Sequence, residues 1–339
     1  MRQSQGESAM EAKKLRILTG DRTTGRLHLG HYVGSLKSRV ELQDVYDTFI
    51  LLADIQALTT HFQNPELVHV SIFDVAIDNL SVGLDPSKVT IVQQSAVKAI
   101  AEMTVYYSML VSVNALRHNP TIKTEAKQYG YSELTYGFLG YPVSQAADIT
   151  FCNADLVPVG EDQLPHIELS RKIVRKFNDT YGTSIVEPQA KLSEVPRLSG
   201  LDGNAKMGKS LGNAVYLSDT AEEVAKKVKM AVTDPARVTV SIPGNPDICN
   251  VAKYHKIFTP ERYDEICSQC RSATIGCVAC KKILINSLNT LLDPIRERRA
   301  YYEAHKDDVR DIIITGSRKA SEIGDAQVAL MRNAMHIAI

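Results

Sequence analysis

The stretch Leu15–Gly34, LRILTGDRTTGRLHLGHYVG, limits the fold more than any other part of the chain. Leu15–Leu18 is a short apolar run of the kind that fills a buried strand. Thr19–Gly25 is dense in Gly, Thr and Asp and reads as a turn, and helical spacing returns from Tyr32. Strand, glycine-rich turn and helix in succession bring backbone N–H groups and a positive helix end to one point, as α/β domains do for phosphates. Neither GxGxxG nor GxxxxGK[ST] occurs in the stretch, so it is not the usual dinucleotide loop or P-loop.

The same alternation continues. Asp47–Leu52 is a second buried strand, Pro65 opens a helix through about Val82, and the Gly83–Pro86 turn leads into a strand over Thr90–Gln94. Ala99–Val113 has helical spacing, with its Met and Tyr residues as core. The pattern predicts an α/β fold with a Rossmann-like, doubly wound parallel sheet. Asn119–Tyr131 is polar and unpatterned and reads as a loop over the site. Tyr141–Asp148, YPVSQAAD, opens a helix at Pro142 and sets Gln145 and Asp148 on one face. Leu156–Val159 is a strand that breaks at Gly160 into an acidic turn, followed by a helix over Leu164–Phe177. Both stretches fall where ligands sit in such sheets, beyond the carboxyl ends of strands; taken singly, each is also an ordinary helix cap or solvated turn. From Thr220 the pattern becomes all-helical: Thr220–Val232, Lys281–Tyr302, Asp307–Thr315 and Ser317–Ile337. Two domains are therefore expected, 13–215 and 216–339, with the final helix a candidate to pack back on the first.

Composition excludes several classes. At 339 residues with 44% hydrophobic and 23% charged side chains, the chain is ordinary for a globular protein. No apolar run is long enough to span a membrane, and the first nine residues lack the apolar core of a signal peptide, so they are expected to be a loose extension with Met10 as an alternative start. The 39 basic and 39 acidic residues cancel, so a polyanionic partner would have to use local patches. Lys226, Lys227 and Lys229, and Arg296, Arg298 and Arg299, are such clusters, although charge runs are commonly just solvated faces.

Two motifs carry the chemistry. His28-Leu29-Gly30-His31 sets two imidazoles on one face of a helix start, with a glycine between them that lets a flat ring approach the backbone. Alone it is weak. Lys206-Met207-Gly208-Lys209-Ser210 lies late in the chain in a glycine-rich loop, and the two motifs together resemble a class I aminoacyl-tRNA synthetase. Val157-Pro158-Val159-Gly160-Glu161-Asp162-Gln163, then His166-Ile167-Glu168, then Val232-Thr233-Asp234-Pro235 are similar to the tryptophanyl-tRNA synthetases of bacteria. The resemblance implies activation of L-tryptophan with ATP and Mg²⁺, transfer to tRNA(Trp), and a homodimer with a helical anticodon-binding domain. It implies that His28 and His31 meet the phosphates and that Lys206 and Lys209 neutralise the departing pyrophosphate. The ATP site would comprise Thr19, Gly20, Gly30, His31, Gly160, Asp162, Lys206, Met207, Lys209 and Ser210. Tryptophan would be held by Tyr141, Gln145, Asp148, Val157, Val159 and Gln163, with Asp148 accepting from the indole N–H. The sister tyrosyl-tRNA synthetases are favoured by Gln145 and disfavoured by Leu18 and the VGEDQ turn. A non-catalytic tryptophan or tRNA sensor is a further alternative. Gly208, Arg22, Thr23 and Gln56 depart from the family pattern.

The six cysteines are Cys152 alone and then Cys249, Cys267, Cys270, Cys277 and Cys280. Without a secretory signal this crowding points to a metal and to the cytosol rather than to disulfides. Spacing alone favours Cys267, Cys270, Cys277 and Cys280 as a CxxC-x6-CxxC zinc site. The set Cys249, Cys270, Cys277 and Cys280 resembles the one that holds a [4Fe-4S] cluster in a subset of the bacterial tryptophan enzymes. Reduced core thiols are the plainest reading.

Overall fold

The computed structural model describes residues 14–192, 198–204 and 207–339; the extension expected at the N-terminus lies outside them. Five strands, β1 (Arg16–Arg22), β2 (Asp47–Ala53), β3 (Val89–Gln93), β4 (Leu156–Val159) and β5 (Gln189–Leu192), pair in parallel in the order β3-β2-β1-β4-β5. A parallel sheet needs helical crossovers that cover both its faces. β2 shows the consequence: Phe49 and Leu51 enter the core on one face, Ile50 and Leu52 the core on the other. The sheet is therefore doubly wound, as the sequence pattern implied.

Helix α1 (Leu29–His31) continues through a π-helical stretch, Tyr32–Leu36, into α2 (Lys37–Leu42); α3 (Asp54–His61) and α4 (Pro65–Ser81) follow β2. Between β3 and β4 lie α5 (Lys98–Ser108), α6 (Val113–His118), α7 (Pro120–Tyr129) and α8 (Tyr136–Thr150), and α9 (Leu164–Tyr181) precedes β5. The rest of the described chain is helical: α10 (Ala221–Met230), α11 (Asn250–Phe258), α12 (Tyr263–Arg271), α13 (Cys277–Ala304) and α14 (Lys306–Ala334). Local chemistry starts several of these. Asn64 caps α4 with Pro65 in its first turn, and Thr220 with Glu223 forms a capping box on α10.

Several expectations need correction. Thr19–Arg22 is strand, not turn: β1 runs on through Gly20, where a side chain would collide with the Leu51 carbonyl of β2. The turn begins at Thr23 and uses Gly25 at φ +102°. Asn119–Tyr131 is not a loop but α7, capped by the Asn119 carboxamide, which accepts from Thr121 N at 2.9 Å, and ended by Gly130 at φ +69°. Its one buried side chain, Ile122, gave no periodicity to read. α8 starts at a Thr135 cap, well before Pro142, which sits inside it. β5, QAKL, is a largely exposed edge strand with no apolar signature. α5 ends at Ser108, and α13 begins at Cys277 rather than Lys281.

The last two helices expected beyond residue 306 are one. Gly316 does not break α14; it lets the helix lie on β3, because a Cβ there would overlap the Ile91 carbonyl. Ser317 Oγ accepts from Gln93 N at 3.0 Å in the same contact. α13 adds Leu284, Leu288, Leu292 and Ile295 to the cluster that contains Ile50 and Leu52. Below them Arg299 is buried, donating to Asp74 Oδ1 at 3.0 Å and pairing with Asp78. No helix among the described residues is long and apolar enough to cross a membrane.

Candidate active site at the switch point of the sheet

The sheet order reverses between β1 and β4, and a cavity of about 370 Å³ opens at their carboxyl ends. It is lined by Thr19 and Gly20 of β1, Val157 and Val159 of β4, Gly160 just after it, Tyr141, Gln145 and Asp148 of α8, and Gln163. The residues expected to hold tryptophan are thus all on one cavity, together with two strand ends expected to meet ATP.

Asp148 is the unusual group in it. The side chain is 4% exposed, with Gln94 Nε2 donating to its Oδ1 at 2.7 Å. Burial pushes its carboxyl up to about 7, the Gln94 hydrogen bond works against that, and the Asp54 charge adds to it. Leu18, Ile149, Val157 and Val159 line the cavity around it. A carboxyl group beside apolar walls is costly to ionise unless further donors reach it, so a ligand entering here meets an acceptor that an N–H or O–H group would satisfy. Tyr141 is fixed from behind by a 2.8 Å hydrogen bond between its hydroxyl and His166 Nε2, His166 being buried.

The two motifs meet beside this cavity. Leu29 N donates to Val215 O at 2.9 Å and Leu217 N to Leu27 O at 3.0 Å, which stitches HLGH to the segment after KMGKS. His28 caps α1: Gly30 N donates to His28 Nδ1 at 3.1 Å, and His28 N donates to His31 Nδ1 at 3.2 Å. With both Nδ1 atoms accepting, a neutral ring carries its proton on Nε2, a donor suited to phosphate oxygen. Gly30 suits this cap because a Cβ would lie 2.8 Å from Cε1 of the His28 ring, which the Gly30 N–H itself holds. Lys209 Nζ reaches across to Gly25 O at 2.5 Å, and burial lowers its pKa to about 8. Lys206 lies outside the described residues, as do the side chains of Asp162 and Ser210.

Four groups at the site escaped sequence reasoning: Asp21, Arg39, Glu125 and Gln94. Arg39 of α2 is 2% exposed and donates to Asp21 Oδ2 at 2.5 Å, Asn79 Oδ1 at 2.9 Å and Gly20 O at 3.2 Å. Burial alone would raise Asp21, but the Arg39 guanidinium brings it down to about 2. In the sequence Arg39 is one more cation on a helix, and nothing marks it as buried. Gln94 carried a usable signal, a polar side chain just past the carboxyl end of a strand. Arg22 and Gln56, two of the departures from the family pattern, both line the cavity.

Residues 10–293 match the family described as tRNA synthetases class I (W and Y). The chain belongs to that family. It is 50% identical to the tryptophan–tRNA ligase of Streptococcus mutans over 332 residues, which is 95% of this chain and 98% of that protein. The tryptophan–tRNA ligase of Lactococcus lactis is 46% identical over 95% of this chain and 97% of its own length. A crystal structure of tryptophanyl-tRNA synthetase from Campylobacter jejuni, complexed with ADP and tryptophan, superposes with a TM-score of 0.85 at 27% identity, covering 95% of this chain and all of that one. The Rossmann-like parallel sheet expected from the alternating pattern, and the class I synthetase fold that the HLGH and KMGKS motifs implied, are therefore the fold observed.

The cysteines lie away from this site. Cys249 caps α11, Cys267 and Cys270 are on α12, and Cys277 and Cys280 are in the first turns of α13. Burial pushes the Cys280 thiol up to about 12, and the Cys249, Cys270 and Cys277 sulfurs act on it more strongly than Cys267 does. Gly244 is needed beside Cys270, whose sulfur would be 2.6 Å from a Cβ there. Arg237 donates to Cys270 Sγ at 3.4 Å, and His255 Nε2 is 3.3 Å from Cys280 Sγ. Among the described residues, no group of three or more His, Cys, Asp or Glu is gathered as a metal-ion site. Neither the local set Cys267, Cys270, Cys277 and Cys280 nor the set with Cys249 is thus drawn together as metal ligands in this structure.

Proposed function

We infer that this chain is a tryptophan–tRNA ligase, which activates L-tryptophan with ATP to tryptophanyl-adenylate and passes the acyl group to tRNA(Trp). The observation that carries the reading is near-full-length identity of about half to tryptophan–tRNA ligases, joined to a buried carboxylate in the switch-point cavity. The tyrosine alternative rests on Gln145 alone.

In the site we propose, indole lies in the apolar cavity with its N–H on Asp148, and Tyr141, Gln145 and Gln163 meet the amino acid's polar end. The carboxylate attacks the α-phosphorus of ATP in line and pyrophosphate leaves. Positioning and charge neutralisation do most of the work in phosphoryl chemistry of this kind. His28 and His31 supply imidazole donors to the phosphates, Gly30 makes room for adenine, and Lys209 with Lys206 meets the charge on the leaving pyrophosphate. Thr19, Gly20, Gly160, Asp162, Met207 and Ser210 complete the nucleotide site. Mg²⁺ enters on the nucleotide's own phosphates, in keeping with that ion's habit; Asp21, the carboxylate on β1, is already committed to Arg39 and Asn79. The helical part, 216–339, is the part assigned to the anticodon end of tRNA, and the working assembly to a homodimer.

The finer part of the reading is a [4Fe-4S] cluster on Cys249, Cys270, Cys277 and Cys280, with Cys267 left over. What supports it is the donor set. The Cys249, Cys270 and Cys277 sulfurs raise the Cys280 thiol, Cys267 less so, and the cation Arg237 donates to Cys270 Sγ with Lys281 next in the chain to Cys280, a surrounding suited to an anionic thiolate cluster. The cluster would tie α11, α12 and α13 together; no step of the reaction passes through it. Charging of tRNA(Trp) with labelled tryptophan tests the main reading. Tryptophan- and ATP-dependent label on the tRNA is expected, and a chain that shows neither charging nor tryptophan-dependent pyrophosphate exchange would be the sensor.

A further inference from the structure

Gln94 follows β3, in the helical turn Gln94–Ala96, and is fully buried. Its two carboxamide atoms are engaged in opposite directions. Oε1 accepts the backbone N–H of Gln56 at 3.0 Å, and Nε2 donates to Asp148 Oδ1 at 2.7 Å. The first bond settles the second: with Oε1 facing a backbone donor, the amide cannot flip, and only Nε2 faces the carboxyl group. Among the described residues nothing donates to Asp148 Oδ2, which belongs to a residue that lines the cavity.

We propose that Gln94 is a positioning residue for amino-acid selection: by holding Oδ1 of Asp148 it favours the ionised carboxyl and turns Oδ2 to the N–H of an indole. This rests on the reading of Asp148 given above. An indole N–H is a donor only. A protonated carboxyl can present it with another hydrogen, whereas an ionised one accepts on either oxygen. The terminal torsion of an Asp side chain is broad, so without a partner on Oδ1 the acceptor would not be held to one direction. Gln56, whose own Oε1 is buried without a partner, thereby couples the start of α3 to the selecting carboxylate through its main chain.

The surroundings leave Gln94 as the main support of the ionised form. Asp54 of α3 pushes the Asp148 carboxyl further up, and is itself held by Gln93 and Ser95 N at 2.9 Å each. The other ionisable groups on the cavity are Asp21 and Arg22 of β1, Arg39 of α2, Glu125 of α7 and Tyr141 of α8. Asp21 and Arg39 neutralise each other, and Tyr141 is bonded to His166 of α9.

The test uses the full chain and tryptophan-dependent pyrophosphate exchange as a function of pH. The substrates are tryptophan and benzothienylalanine, which carries sulfur in place of the indole N–H. Gln94→Met keeps the volume and removes the donor. It is expected to raise KM for tryptophan by about tenfold or more, as loss of a hydrogen bond to a charged group should, with a much smaller change in kcat and none in KM for ATP. The acid limb of kcat/KM should move to higher pH, because the carboxyl then protonates more readily, and the preference for tryptophan over benzothienylalanine should shrink. Gln94→Glu, which still accepts from Gln56 but sets a second carboxyl against Asp148, should move the acid limb the same way and serves if Gln94→Met does not fold. An unchanged acid limb and unchanged preference in the folded variant would overturn the role of Gln94 while leaving Asp148 in place. If wild type and Asp148→Asn prefer tryptophan over the analogue equally, the Asp148 reading itself fails.

Discussion

Lys209 shows how burial sets the working range of one residue. Desolvation lowers its pKa to about 8, so the ammonium is present below that pH and is lost as pH rises through it. kcat/KM for ATP in the free enzyme should therefore fall on the alkaline side with a midpoint near 8. Lys209→Arg, whose guanidinium stays charged, should abolish that limb; an identical limb in the variant would assign it to another group. Lys209→Ala is expected to lower kcat by roughly 10²–10³, the cost of removing one preorganised donor, with a smaller change in KM. At this scale the sequence was legible through motifs read together. HLGH is weak alone and singled out His28 and His31 only when joined to KMGKS, and Asp148 was picked out through the resemblance that the AAD segment carries. Arg39 could not, since burial and its bond to Asp21 arise only when β1, α2 and α4 come together.

Among the elements, those with a buried apolar face were legible and those without one were not. β2 and β3 lie within a residue of where the apolar runs put them. α7 and β5 were missed because their faces are mostly solvated, although Asn119-Pro120 and Gly130 spelled out both ends of α7. Gly316 misled because glycine is a helix breaker by propensity and a spacer by contact. On an exposed helix, Gly→Ala gains about 1 kcal/mol. Here Gly316→Ala should instead destabilise by roughly 1–3 kcal/mol, as overpacking does, read as a lower urea midpoint. A neutral or stabilised variant would mean that α14 does not rest on β3. For the cysteines, iron and sulfide analysis after anaerobic purification should find both, and Cys249→Ser should lose the brown chromophore while Cys267→Ser keeps it. The opposite pattern would exchange the ligand, and stoichiometric zinc without iron would replace the cluster.

At the scale of the whole molecule, one buried ion cluster joins the helical part to the α/β part. Arg299 of α13 meets Asp74 and Asp78 of α4, and Asp78 also accepts from Leu27 N at 2.7 Å, just before HLGH. Burial raises the Asp78 carboxyl to about 6 even with Arg299 beside it. Arg299→Met should cost about 3–5 kcal/mol of stability, the usual penalty for stranding a buried charge. Above pH 6, where Asp78 is ionised, the loss should be largest; it should shrink as pH falls below 6 and the carboxyl takes a proton. A loss independent of pH would assign the effect to packing alone. What joins all three scales is the proposal that the switch-point cavity selects tryptophan, and selection is measured most directly by pyrophosphate exchange with tryptophan, tyrosine and phenylalanine in wild type and Asp148→Asn. Exchange with tryptophan only is expected, with phenylalanine rejected by about 10⁴ or more, as in sites that hydrogen-bond their substrate, and with that ratio collapsing in Asp148→Asn. A preference for tyrosine, or a tryptophan preference that survives Asp148→Asn intact, would contradict it.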